Sequence, residues 1–297
     1  MLSPKHAFLN LLALLCSAGI AWADEPPATA APAAPAPKTY ALISAVGDQL
    51  EFVTRKMGTG SNMLDTFYRK KVKIDNNALN TSVLRGLDRV LDASAPGSKR
   101  VYMSLAPAQL EGVLPQDREM AAINKVIKTL EKNPQRMEWD KIIVVTPAFR
   151  SNEFSGMGTK LYGLGVFVQP LYSGKMPSDG GDIDLDSPGD GNEVTTPDKQ
   201  ATRSRRYVAP YSYTQLWVLD AKTLQILEKN DRYDNQKLFD PKSTAINVAD
   251  AISTEFLATQ VVELTERSAA KSLSGTAVGT SVEIGEIRPV KDQPAKK

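Results

Sequence analysis

Histidine and cysteine are almost missing from this chain. Its 297 residues hold one of each, His6 and Cys16, and both lie within the first 23. From residue 24 onward there is neither a thiol nor an imidazole. That part of the chain cannot form disulfides, thiolate nucleophiles, Ser-His-Asp triads or His-ligated zinc sites. Its chemistry is left to carboxylates, Lys, Tyr, Ser or Thr, or to a metal held by oxygen. A charge imbalance is also lacking. Lys and Arg number 36 against 34 Asp and Glu; only Lys5 among them precedes residue 24, which leaves the remainder at +1. Generic nucleic-acid binding, which needs a basic excess, is not expected. Beyond the N-terminus no apolar run is long enough for a membrane span, and no internal repeat is visible.

The first 23 residues read as a secretory signal. Lys5 and His6 open it, residues 7–18 form an apolar core too short to cross a bilayer, and Ala21-Trp22-Ala23 places small residues before a cut ahead of Asp24. Cys16 raises a lipoprotein reading, but Leu15 precedes it where a small residue is usual. Cleavage after Ala23 predicts an exported chain, periplasmic in a Gram-negative cell, with no transmembrane segment left. Residues 24–39 are rich in Ala and Pro and read as a semi-rigid linker. Residues 268–297, rich in Ser, Ala, Gly and Thr before a Pro-Ala-Lys-Lys end, read as a mostly disordered tail.

The folded unit is expected over residues 40–267. Strands are predicted over 40–46, 50–55, 67–74, 100–105, 141–145 and 161–170, with a hairpin pairing 206–219 and 223–227. Lys141-Ile-Ile-Val-Val145 is a continuous apolar run and reads as the buried central strand. One helix follows the cap Asp75-Asn76-Asn77 and buries Leu79, Val83, Leu84, Leu87, Val90 and Leu91. A second opens at Pro115 or Asp117, with Ile123, Val126, Ile127 and Leu130 inward, and stops near Asn133-Pro134. A third runs over 245–267, opened by Asp240-Pro241 or Ser243, with Val248, Ile252, Phe256, Leu257, Val261 and Leu264 on its apolar face. A short helical turn is expected over 107–112. The early alternation of strands and helices predicts parallel pairing and the later hairpin an antiparallel half. The fold class is α/β, one domain around a mixed sheet with about three helices and a long polar loop over 173–203; α+β is the alternative.

Candidate sites follow from strand ends, glycines and clusters. Ligands in open α/β sheets sit beyond the carboxyl ends of strands. Asp48 follows the first strand and Arg150 the central one, so a crevice between parallel neighbours can bring them together. Gly47-Asp48-Gln49 resembles the Gly-Asp-Ser block of lipase-like hydrolases, but Gln49 stands in the nucleophile's place and no His follows, so no activity carries over. Gly163 and Gly165, two apart in an expected strand, leave a flat strip for a close helix, a ring or a ligand. Asp182, Asp184, Asp186, Asp190 and Glu193 occupy positions 1, 3, 5, 9 and 12 of a twelve-residue window, the carboxylate positions of a calcium loop. Ser187 stands where that loop needs Gly, and the bland reading is a solvated acidic loop. No cofactor is expected otherwise. Two basic clusters remain, Arg69-Lys70-Lys71 with Lys73, and Arg203, Arg205 and Arg206. The second leads into Tyr211, Tyr213 and Trp217 on one strand face, where Arg206 beside aromatics can bind a sugar, an anionic glycan or a partner; cross-strand packing is the bland reading.

Ala41-Leu-Ile-Ser-Ala-Val-Gly-Asp48, Val144-Val-Thr-Pro-Ala148, Lys160-Leu-Tyr-Gly-Leu-Gly165, Val208-Ala-Pro210 and Trp217-Val-Leu-Asp220 together give the folded region a resemblance to exported proteobacterial proteins of unknown function. The resemblance implies an exported single-domain protein and assigns no activity and no functional residue. The reading is a non-enzymatic periplasmic binding or adaptor protein of the cell envelope, with an envelope protein or glycan as partner. The alternative is a carboxylate- or metal-dependent hydrolase acting on a glycan or phosphoester.

Overall fold

The computed structural model describes residues 37–55, 67–110, 112–150, 160–169, 191–245 and 248–280. The signal, most of the linker and residues 281–297 of the expected tail lie outside them. Ten strands and three α-helices occur among the described residues. They are β1 (Thr39–Ser44), β2 (Gln49–Arg55), β3 (Phe67–Lys73), α1 (Ala78–Ser94), β4 (Lys99–Ser104), α2 (Arg118–Glu131), β5 (Lys141–Pro147), β6 (Leu164–Gln169), β7 (Asn192–Thr195), β8 (Ala201–Ser204), β9 (Tyr207–Asp220), β10 (Ile226–Asn235) and α3 (Thr254–Ser274).

The main sheet is mixed and eight-stranded, and its registers reduce it to five tracks. The fourteen-residue β9 is the longest strand. Its C-terminal half pairs antiparallel with β5 (Val144 opposite Trp217) and its N-terminal half with β6 (Gly165 opposite Tyr211). β5 and β6 are therefore two segments of one track, interrupted between residues 148 and 163. The next track is interrupted in the same place. There β1 runs parallel to β5 and β2 parallel to β6. Outside it lie β4, parallel to β1, and β3, antiparallel to β2. β10 pairs with β9 on its other side. The expected mixed α/β architecture is observed, with β1 and β2 parallel to their inner neighbours and antiparallel pairing around β9 and between β2 and β3.

The break between β1 and β2 is held by a polar node. Gly47 turns with φ 89°, a conformation cheap only for glycine. Asn80 of α1 is buried at 4 % exposure; its amide donates to the Gly47 carbonyl (3.1 Å) and to Asn77 Oδ1 (2.6 Å), and its Oδ1 accepts from Ser44 Oγ (2.7 Å). A break inside a buried sheet leaves backbone groups to satisfy, and a helix-borne amide supplies both signs at once.

Two apolar cores flank the sheet. On one face α1 brings Leu79, Val83, Leu87 and Leu91, and α3 brings Leu257, Val261 and Leu273, onto Leu42, Ile143, Leu216 and Val218. On the other face α2 brings Ile123, Val126 and Leu130 onto Ile43, Val144, Trp217 and Leu219. The period-3.6 spacing of those helices is what aims both stripes at the sheet.

Several expectations change. Asn77 opens α1 in the left-handed conformation (φ 54°) without a side-chain cap bond. The described part of 107–112 forms no helical turn. The long polar loop contains the hairpin β7–β8. β10 extends to Asn235, beyond the expected end at 227, because its alternation is carried by charged and polar residues rather than apolar ones. The last helix begins at Thr254, capped by Ser253 Oγ accepting from the Phe256 amide (3.1 Å); a short 3-10 turn, Val248–Ala251, precedes it. It runs to Ser274, so the expected tail is helical in its first part. Ala269 and Leu273 continue its buried stripe, a signal hidden among small residues. Phe256 faces solvent instead of the core, at 37 % exposure.

Candidate functional site

The sheet face on the α2 side is only half covered by that helix. α2 lies over Trp217 and Leu219, and its first residue, Arg118, reaches the point where β5 breaks off. Beyond it the face is aromatic. Strand alternation puts Tyr211, Tyr213, Gln215 and Trp217 on this side of β9, with Tyr233, Asp231 and Lys229 opposite the last three on β10. Tyr213 meets Tyr211 and Tyr233 edge-on, each at 5.2 Å between ring centres. Gln215 Nε2 donates to Asp231, and the Lys229 ammonium lies 5.4 Å from the Trp217 ring.

Where β5 ends, Phe149 bridges to Tyr162 with the rings 5.6 Å apart. Arg118 lies 5.7 Å from both rings, and Arg69 of β3 approaches Tyr162 at 5.6 Å. Arg150 sits 4.4 Å over Tyr233. Three guanidinium groups thus line a shelf of three rings. Arg69 is paired with Glu51 at 3.0 Å and donates to the Lys160 carbonyl at 2.6 Å. Arg118 Nε donates to the Val113 carbonyl at 3.0 Å, and among the described residues no carboxylate meets its fork. A cation over a ring face is held by the ring quadrupole, which leaves the Arg118 donors beyond Nε available to an anion. Next to Arg118, Glu119 pairs with Lys229 at 3.0 Å, which closes the α2 side of the shelf.

The predicted site residues divide. Arg150 lies at this shelf, whereas Tyr211 and Tyr213 are buried at 0 % and 1 % exposure and form the packed layer beneath Tyr233. Asp48 does not. β1 and β5 are parallel neighbours, the arrangement that could bring the two together, yet their exits diverge: Asp48 turns towards β3 and meets Lys73 at 3.5 Å, whereas Arg150 turns to β10. Gly163 and Gly165 form no strip. Gly163 has φ 59° at the kink before β6. Gly165 is crossed by Tyr211, whose hydroxyl would stand 2.6 Å from an added Cβ, so the missing side chain makes room for a ring. Arg206 is a buried tie; it donates to the carbonyls of Ala245 (2.6 Å) and Ser243 (3.0 Å) and lies over Phe239. Trp217 is core, its indole donating to Thr146 Oγ1 at 3.0 Å. Both side chains are buried within the fold, at 2 % and 1 % exposure.

For the calcium window, Glu193 is a strand residue on β7 opposite Arg203, and Asp182, Asp184, Asp186 and Asp190 lie outside the described residues. Among the described residues no group of three or more acidic side chains is placed to hold a metal ion. No described helix is long and apolar enough to cross a membrane. Sequence reasoning missed Arg118, Phe149, Tyr162 and Tyr233 as parts of one site. Nothing in the spacing links Arg118 to Phe149, and the charged residues of β10 give no apolar period that would place Tyr233.

No protein-family model matches the chain, and no curated protein matches it. Among solved structures it is similar to a putative neuraminyllactose-binding hemagglutinin homolog from Helicobacter pylori, at 9% identity over 80% of this chain and 83% of that one, with a TM-score of 0.31. That likeness is too slight to bear on what this chain binds.

Proposed function

We propose that the chain is an exported, non-enzymatic binding or adaptor protein of the bacterial cell envelope, engaging an envelope protein or glycan through the arginine–aromatic shelf. The observation that carries this reading is Arg118, half-buried between Phe149 and Tyr162 with no carboxylate at its fork among the described residues. A charge held partly out of water without an ionic partner is costly, and an anionic ligand offsets that cost. The absence of His and Cys after residue 23 supports binding over catalysis, and the signal-like first 23 residues support export.

The test is a photo-crosslinking residue placed at Tyr162 and, as control, at the exposed Met137, in cells making the full chain. Adducts specific to position 162, from a chain processed ahead of Asp24, are expected. Identical adducts from both positions, or an unprocessed chain retained inside the cell, would overturn the reading.

A further inference from the structure

Resting on that reading, we infer that the shelf takes an acidic sugar unit of an envelope glycan, a polyhydroxylated ring bearing a carboxylate. Three observations converge on this class. First, the anion. The Arg118 fork has its planar donors unclaimed by any described carboxylate, and a guanidinium presents two parallel N–H groups that match a carboxylate bidentately. Second, the ring. Phe149 and Tyr162 are tilted at 42° to one another and both are half-buried, so they offer an apolar wall to the C–H face of a sugar beside the cation. Third, the hydroxyls. Gln215 is completely buried; its Nε2 donates to Asp231, which fixes the amide's orientation, and its Oε1 has no partner among the described residues. A buried acceptor without a donor is costly. Asp231, partly exposed at 39 %, stands above it beside Lys229 at 3.7 Å. An unmet acceptor, a carboxylate and an ammonium side by side suit a ligand with many hydroxyl groups better than a lone anion.

An extended peptide would bind by adding a strand to a free edge. The β5–β6 track lies between β1–β2 and β9, so among the described strands at the shelf only the outer side of β10 is left unpaired. The peptide probe below tests that route against the side-chain route taken by a sugar.

The experiment is saturation-transfer NMR on the exported chain with three probes: glucuronic acid, its neutral parent glucose, and an acidic hexapeptide of Asp and Ser. Glucuronic acid is expected to bind at least tenfold more tightly than glucose, and Arg118→Gln to abolish the difference while Arg118→Lys retains part of it. Tyr162→Ala is expected to weaken both sugars together. Circular dichroism of each variant checks that it folds. Equal binding of glucose and glucuronic acid, binding of the peptide alone, or a well-folded Arg118→Gln with unchanged affinity would each overturn the inference. Position-specific capture of a protein at Tyr162 with no sugar bound would remove the glycan and leave the binding reading in place. Capture of nothing specific would remove that reading as well.

Discussion

Gly165 is the position where two strands and a phenol compete for the space of one methyl group. Glu51, Gly165 and Tyr211 stand in one row across three strands, and an added Cβ would strike the Glu51 carbonyl and the Tyr211 hydroxyl. Gly165→Ala is expected to cost about 3 kcal/mol in urea unfolding, since backbone on one side cannot yield. Gly97→Ala is the contrast. Nothing lies within 4 Å of it, and only its φ of 77° resists, so about 1 kcal/mol is expected. Tyr207 shows a different residue-scale effect. Burial alone pushes its phenol up to about 12. The fold therefore favours the neutral form, while the unfolded chain ionises near 10. This contribution is complete below pH 10 and is lost as the pH rises towards 12. Relative to Tyr207→Phe, the native chain should lose roughly 2–3 kcal/mol over that window, as read by denaturant titration at successive pH values. A constant gap between the two would show that the phenol is solvated in the native state.

At the scale of elements, α3 is the unusual piece. Part of its seam on the sheet is lined by hydroxyls. Thr265 and Ser268 on the helix, and Ser212 and Thr214 on the facing side of β9, are all buried with no hydrogen-bond partner for their oxygens among the described residues. Removing an unpaired buried hydroxyl removes a desolvation cost, so Ser268→Ala should be neutral or stabilising by up to about 1 kcal/mol, a Tm change of zero to a few degrees. A loss above 1 kcal/mol would mean that the hydroxyl is satisfied in solution. The same seam explains what the sequence concealed. α1 announced itself because Leu79, Val83, Leu87 and Leu91 recur at helical spacing between a turn and Pro96-Gly97. The last turns of α3 are Ser-Ala-Ala-Lys-Ser-Leu-Ser, which by composition reads as a tail; only the packed partner makes it a helix. β10 was hidden for a related reason: a strand of Glu, Lys, Asp and Arg has no apolar period, and its long neighbour β9 holds it. Tyr211, Tyr213 and Arg150 could be named as site candidates from the strand's aromatics and the strand's end. Arg118 could not, because on a helix surface it looks like any solvated cation.

At the scale of the molecule, β9 belongs to both halves of the sheet. Its first half pairs with β6 and its second with β5, so neither half can separate without breaking one continuous strand. A single cooperative transition follows. Trp139 and Trp217 are both buried on the α2 side, at 3 % and 1 % exposure, whereas α1 and α3 lie on the other face. Tryptophan fluorescence and far-UV circular dichroism should therefore give coincident urea curves. A fluorescence midpoint displaced from the helical one would show that the two faces come apart separately.

The interrupted tracks also set an order in time. β1 pairs with residues 101 positions further on, as Tyr40 does with Lys141, and β2 with residues 114 further on, as Glu51 does with Gly165. A chain that emerges from its N-terminus holds both interior strands before either inner neighbour exists. β2–β3 and β1–β4 can pair early, but the two halves of the sheet are joined only when residues 207–220 arrive. Such a late-closing topology is compatible with the export we propose, in which an unfolded chain is threaded through a narrow pore.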